Sequence, residues 1–253
     1  MRDHPFFAGG RRLGFAHRGG TSSAPENTMA AFAAAVDLGF THLETDVHAS
    51  RDGILVAFHD DDLQRTCDDD RRIATTPWSD LSRLRVGGTE PIPRLEDILD
   101  EWPDVFVNID CKTESAVEPL AHLLMSRPGL LNRVCIGSFS DARLDQLRAA
   151  VGPRLLTSMG PKAVARLVAR SRGIPVSLRN DGAACAQVPV RQGPIPVVTR
   201  ALVDTAHRSG LFVHVWTIDD PAEMSRLLDL GVDGIMSDDV VTLRSVLQEN
   251  GHW

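Results

Sequence analysis

The chain of 253 residues contains no tyrosine and only four cysteines, Cys67, Cys111, Cys135 and Cys185. No two of them stand in a C-x-x-C spacing, so neither a structural zinc site nor a redox motif is supported, and reduced thiols are the simplest expectation. Long apolar runs are missing as well. The longest, 29–36, is far short of the ~18 residues that a spanning helix needs, which predicts no stable membrane insertion. Residues 1–12 carry Asp3, His4, Arg11 and Arg12 without an apolar centre, unlike a secretory signal, and a cytoplasmic protein is expected. Positive charge is outnumbered: 27 Lys and Arg against 34 Asp and Glu leave a net charge of -7, which argues against a nucleic-acid partner. No G-x-G-x-x-G, G-x-x-x-x-G-K-[ST] or G-x-S-x-G occurs, which removes a dinucleotide fingerprint, a P-loop and a nucleophile elbow.

What is present is an alternation. Segment 13–16 predicts a strand and 28–38 a helix closed by Gly39. Segment 43–47 predicts a strand, and 54–58 another entered by the Asp52-Gly53 turn, so the two suggest a hairpin. Residues 60–90 break the rhythm with Asp60-Asp61-Asp62, Asp68-Asp69-Asp70 and Gly87-Gly88, and predict an insertion or long loop. The aspartates lack EF-hand spacing, so a solvated acidic loop is the simpler reading. Helices are then predicted at 95–102, 116–126, 141–150, 161–171, 199–209, 221–230 and 240–248. Strands are predicted at 105–109, 133–136, 155–158, 174–178, 211–216 and 234–236, with 179–196 irregular. About eight strand–helix units in ~250 residues predict a single α/β domain over 1–253, a (β/α)8 TIM barrel with a small insertion at about 60–90 after the second strand region.

In such a barrel the chemistry lies at the C-terminal ends of the strands. The first strand ends in His17-Arg18, the hairpin strand in His59-Asp60, the third core strand in Asn108, Asp110 and Lys112, the seventh in Trp216 and the eighth in Asp238. Glu44 and Asp46 are two apart on a strand and share a face. With Asp110 they make a hard-oxygen set suited to Mg²⁺ or Ca²⁺. The competing reading, acids on a solvated face, conflicts with a central strand that has no solvated face. His17 and His59 are the candidate acid–base pair, although either alone reads equally well as a hydrogen-bonded structural residue. Arg18 and Lys112 supply fixed positive charge for a phosphate diester, or a local salt bridge such as Arg18 with Glu26. His48 suggests a rim role or none. His4, His42, His122, His207 and His252 read as surface, and His214 as core.

Ala16-His17-Arg18-Gly19-Gly20 with Pro25-Glu26-Asn27-Thr28 resembles the opening motif of glycerophosphodiester phosphodiesterases. Leu43-Glu44-Thr45-Asp46-Val47 followed by Phe58-His59-Asp60 is similar to the second block of that family, and Asn108-Ile109-Asp110-Cys111-Lys112 to the third. Ser138-Phe139, Val215-Trp216-Thr217 and 231–238 resemble later blocks. The resemblance implies a TIM barrel and one divalent cation, Mg²⁺ or Ca²⁺, held by Glu44, Asp46 and Asp110. It implies His17 and His59 as general acid and base, Arg18 and Lys112 on the phosphate, and Trp216 beside the glycerol or leaving group. The substrate would be a small-molecule glycerophosphodiester, hydrolysed to sn-glycerol 3-phosphate and an alcohol. Two departures stand out. Asp110 replaces the more usual Glu and is one methylene shorter, and the insertion is short and acidic. The alternatives are a lysophospholipase D-like or sphingomyelinase D-like enzyme on the same centre, and an inactive barrel used for binding.

Overall fold

The computed structural model describes residues 4–7, 12–178 and 182–253. Parts of the polar N-terminal stretch and of the irregular segment 179–196 lie outside the described residues. The strands are β1 (Leu13–Ala16), β2 (His42–Ala49), β3 (Leu55–Ala57), β4 (Arg85–Val86), β5 (Glu90–Pro91), β6 (Phe106–Cys111), β7 (Val134–Gly137), β8 (Cys185–Pro189), β9 (Arg191–Gln192), β10 (Ile195–Pro196), β11 (Phe212–Trp216) and β12 (Gly234–Ser237). The helices are α1 (Met29–Asp37), α2 (Gln64–Cys67), α3 (Trp78–Leu81), α4 (Leu95–Glu101), α5 (Val117–Ser126), α6 (Asp141–Val151), α7 (Pro161–Ser171), α8 (Arg200–Arg208), α9 (Pro221–Leu230) and α10 (Val240–Glu249).

Parallel strands follow one another in the order β7-β6-β2-β1-β12-β11-β8. Between β7 and β8 stand Thr157 and Ser158, which bridge in parallel to Ile136 and Cys185 and supply the remaining stave of a (β/α)8 TIM barrel. The expected strand at 155–158 is thus reduced to two bridges. Every residue of β2 is buried. Leu43 and Val47 enter the shell packed under the helices, and Glu44, Asp46 and His48 have the opposite parity, toward the barrel interior.

Helix starts follow side-chain chemistry. Thr28, Ser140, Thr199, Asp220 and Asp239 each accept a hydrogen bond from a backbone N–H of the first turn. Pro161 and Pro221 occupy first-turn positions, where a missing N–H costs nothing.

One expectation needs correction and another becomes more specific. No strand forms at 174–178: Ile174 is half exposed, Pro175 has no N–H, and the Val176 carbonyl accepts from Arg170 instead of a ladder partner. The sixth stave is β8, inside the segment read as irregular, where Cys185, Ala186 and Val188 are buried and register along β11. The insertion expected at 60–90 is there as a packed unit and not as a long loop. β3 pairs antiparallel with β2 as the hairpin predicted. Beyond it, Leu63, Ile73, Leu81, Val86 and Ile92 converge on Val56 and Phe58 in a compact apolar cluster. Their irregular spacing hid a packed excursion that carries α2, α3, β4 and β5.

The N-terminal end of the barrel is closed by a 3₁₀ turn at Pro5–Phe7. Phe6 packs against Phe15, His42 and Phe106, and Phe7 stacks on Phe212 with ring centroids 4.1 Å apart. Among the described residues no helix is long and apolar enough to cross a membrane.

Candidate active site

The opposite, C-terminal end opens into a cavity of about 780 Å³, and all the candidate residues read from the sequence line it: His17, Arg18, Glu44, Asp46, His59, Asp110, Lys112 and Trp216. β1 delivers the first two through a tight turn. Arg18 sits at φ 53°, a left-handed conformation uncommon for a non-glycine residue. That turn aims its backbone N–H at Glu44 Oε2, 3.1 Å away, and lets its carbonyl accept from the Asn27 N–H. Gly19 follows at φ 85°, where a Cβ would stand 2.9 Å from the Ala31 side chain and the Phe32 nitrogen of α1. The turn therefore demands glycine on two grounds, conformation and space.

Each candidate histidine is held at Nδ1 by a carboxylate. His17 Nδ1 lies 2.7 Å from Asp238 Oδ1 at the end of β12. His59 Nδ1 lies 2.6 Å from Asp60 Oδ1. A carboxylate on Nδ1 fixes the proton there and leaves Nε2 as the nitrogen for chemistry. His17 Nε2 is 3.8 Å from Glu44 Oε2. Burial lowers the affinity of the His17 imidazole for a proton, but the charges of Glu44 and Asp238 outweigh it and hold its pKa above the ordinary histidine value.

The carboxylates come from two neighbouring staves, with Asp46 opposite Asp110 in the β2–β6 register. Lys112 Nζ stands 3.2 Å from Asp46 Oδ1 and 3.2 Å from Asp110 Oδ2. Arg18 Nε approaches Asp46 Oδ2 to 3.2 Å, and Asn27, itself held by the Thr45 hydroxyl, donates to the same oxygen. Burial would raise the Asp46 pKa, yet Lys112, Arg18 and His59 hold it below the usual carboxylate range. Burial raises Asp110 despite Lys112. Glu44 lacks such a cation: burial first, then the charge of Asp46, pushes it up to about 8.

That imbalance bears on a metal. Glu44, Asp46 and Asp110 form an oxygen donor set of the kind hard divalent cations take, and Glu44 is a buried carboxylate with more negative than positive neighbours. The set fits such an ion. Among the described residues, however, no three His, Cys, Asp or Glu side chains converge into a ready-made cluster. The Lys112 ammonium lies between two of the acids expected to hold the metal.

Several residues of the site were not assigned from the sequence. Asp60 and Asp238 stood at strand ends, but only the folded geometry makes them partners of His59 and His17. Arg65, from α2 in the excursion, donates through Nε to Asp60 and through both terminal nitrogens to Glu26. Glu26 in turn accepts from Arg18 at 3.0 Å, the salt bridge foreseen for that pair. Nothing in the local sequence around Arg65 signalled this. Gln187 of β8 donates to Asn108 across the barrel interior.

The other histidines divide. His48 is buried and donates from Nε2 to the His59 carbonyl, so it supports the backbone of the candidate catalytic residue. His42, read as surface, is 3% exposed, and its Nε2–H donates to the Phe6 carbonyl. His4 is likewise half-buried and donates to the Leu131 carbonyl, and His207 pairs with Asp233 at 2.7 Å. His122 is exposed, and His214 is fully buried, as read.

Comparison with known proteins adds independent findings. The model of the glycerophosphoryl diester phosphodiesterase family matches residues 17–242. The chain is 41% identical to "Probable glycerophosphodiester phosphodiesterase 2" of Mycobacterium tuberculosis, covering 98% of this chain and 95% of that protein. It is 30% identical to a glycerophosphodiester phosphodiesterase of Caldanaerobacter subterraneus, covering 95% and 100%. Among solved structures, a phosphodiesterase of Oleispira antarctica in complex with the product sn-glycerol-3-phosphate superposes with a TM-score of 0.75 at 25% identity, covering 94% of this chain and 97% of that one.

Proposed function

The chain belongs to the glycerophosphoryl diester phosphodiesterase family, and from that premise we propose that it hydrolyses small glycerophosphodiesters to sn-glycerol 3-phosphate and an alcohol. The observation that carries the reading is the convergence of two carboxylate-held imidazoles, three acids and two fixed cations on one cavity. Water adds to the diester overall: its oxygen ends on phosphorus, the ester bond to the alcohol breaks, and the proton goes to the departing oxygen. Of His17 and His59, one takes the proton from the attacking oxygen through Nε2, and the other returns a proton to the leaving alcohol. Asp238 and Asp60 hold the two rings in the tautomer this requires. Arg18 and Lys112 bind the phosphate and stabilise charge that grows on its oxygens. Trp216 lines the wall against which the substrate's carbon skeleton lies.

Glu44, Asp46 and Asp110 would hold a divalent cation, Mg²⁺ or Ca²⁺, which when bound polarises the phosphoryl oxygens. Its charge would also offset the burial of the Glu44 carboxylate.

The test is an assay for glycerol 3-phosphate release from a panel of diesters, with chelator and with each metal restored. Release from at least one diester, lost with chelator and regained with one of the two ions, is expected. Undiminished turnover in chelator would remove the cation from the scheme, and no release from any diester would remove the activity.

A further inference from the structure

The excursion at 60–90 reaches toward the site through Arg65 of α2, and the chain around that residue is tied down. Leu63 is fully buried in the apolar cluster of the excursion, and the Thr66 carbonyl accepts from the Gly87 N–H at 2.7 Å. Gly87 in turn lies against the loop that carries Glu26. At φ 60° it favours glycine, and a Cβ there would stand 2.9 Å from the Pro25 ring. The excursion is therefore packed against the Pro25–Glu26 loop as well as on the β2–β3 hairpin.

From this position the Arg65 guanidinium divides between two carboxylates. Nε donates to Asp60 Oδ2 at 2.6 Å, and Nη1 and Nη2 donate to Glu26 Oε2 and Oε1 at 2.9 and 2.6 Å. Each carboxylate has a second partner. Asp60 Oδ1 lies 2.6 Å from His59 Nδ1, and Glu26 Oε1 accepts from Arg18 Nη1 at 3.0 Å. With both oxygens of Asp60 engaged, the plane of its carboxylate is pinned, and that plane directs the His59 ring. Arg18, Glu26, Arg65, Asp60 and His59 thus form an unbroken series that begins and ends at the cavity, while Arg65 itself stands behind the cavity wall. Charge agrees with geometry. Burial raises the Asp60 pKa, but the bonds from Arg65 and His59 hold it at about 2. Burial of Glu26 is likewise outweighed by Arg65 and Arg18. Because Glu26 is shared with Arg65, it neutralises less of the Arg18 charge that a phosphate would use.

From this arrangement we infer that Arg65 is a positioning residue for the hydrolysis, fixing the His59 ring through Asp60 and the Arg18 guanidinium through Glu26. The inference rests on the diesterase reading and deepens it, because the excursion becomes part of the catalytic apparatus. The two arms of one planar guanidinium set the proton-transfer group and the phosphate anchor at a fixed spacing. The Asp60 arm acts on the rate of the bound complex, and the Glu26 arm acts on the hold on the phosphate.

The experiment is steady-state kinetics on glycerophosphocholine or glycerophosphoethanolamine, whichever the wild type turns over faster, with thermal unfolding to confirm that each variant folds. Arg65→Gln is expected to lower kcat and to raise KM, each by about tenfold. In an Asp60→Asn background, Arg65→Gln should still raise KM but lower kcat no further. In a Glu26→Gln background it should still lower kcat but raise KM no further. Arg71→Gln is the control, because Arg71 ties the same excursion together through Asp69 and Asp80. Its kcat and KM should match those of the wild type. Unchanged kcat and KM in Arg65→Gln, with an active wild type, overturn the positioning role and leave the diesterase reading standing. Undiminished losses in both backgrounds overturn the route through the two carboxylates. Equal losses in Arg71→Gln mark a loosened excursion and also overturn the role. A wild type that turns over neither diester overturns both readings.

Discussion

The two ends of this barrel are made from the same staves and solve opposite problems. At the C-terminal mouth, carboxylates, ammonium and guanidinium groups are packed within hydrogen-bonding reach, and the turn that carries Arg18 is strained to bring them there. At the N-terminal floor, Phe6, Phe7, Phe15, Phe106 and Phe212 interlock around two histidines. One residue type shows the difference cleanly. His17 at the mouth sits between two carboxylates, and its pKa is raised. His42 at the floor is enclosed by aromatic rings, with the Phe6 carbonyl and the Thr41 hydroxyl for partners. Burial pushes it down to about 4. Neighbouring charge decides the sign of the shift, and burial alone goes one way. The floor holds the fold, and the mouth spends that stability on chemistry.

The contrast can be broken at either end. The largest effect is expected from His17→Ala, which should lower kcat by about 10²–10⁴-fold while the unfolding temperature stays near that of the wild type. Retained turnover in a steady-state assay would end the acid–base assignment. Phe6→Ala should do the reverse. Losing a fully buried ring costs about 3–5 kcal/mol of stability, read by chemical denaturation. KM, determined where the variant remains folded, should barely move. If instead KM rose sharply, floor and mouth would be coupled.

A pH series sharpens the comparison. His42 takes a proton near 6.5 in the unfolded chain and near about 4 in the fold. Between these values the unfolded state holds the extra proton, so its contribution to stability is full above 6.5 and is lost as pH falls toward 4. The loss amounts to roughly 3 kcal/mol. In His42→Phe the fall in unfolding free energy over that window should be shallower, and an unchanged slope would mean that other groups carry it. The smallest effect is expected from Asp238→Asn, which keeps the shape of the partner and removes its charge. A drop of about 10–100-fold in kcat with little change in KM is anticipated, and a pure KM effect would reassign Asp238 to substrate binding.

Much of the mouth was legible in the sequence because barrel chemistry is local to strand ends. His17-Arg18, His59 and Asp110 with Lys112 sit where a strand stops and Glu44 with Asp46 lie along β2, so locating the strands located the groups. The floor was not legible. His42 looked like a surface residue before a strand, and it is Phe6, 36 residues earlier, that buries it together with Phe15 and Phe106. The same reason hid Arg65, whose partners Glu26 and Asp60 meet it only after the excursion packs. β8 was missed because 174–178 has a comparable apolar content. What separates them is Pro175 and the presence of β11 beside Cys185–Pro189, a fact about neighbours rather than composition.

The aromatic floor also sets a direction for handling the protein. His4 is anchored by the Leu131 carbonyl beneath the barrel, at the end away from the mouth. Immobilised by that end, the molecules would stand with their openings toward the liquid.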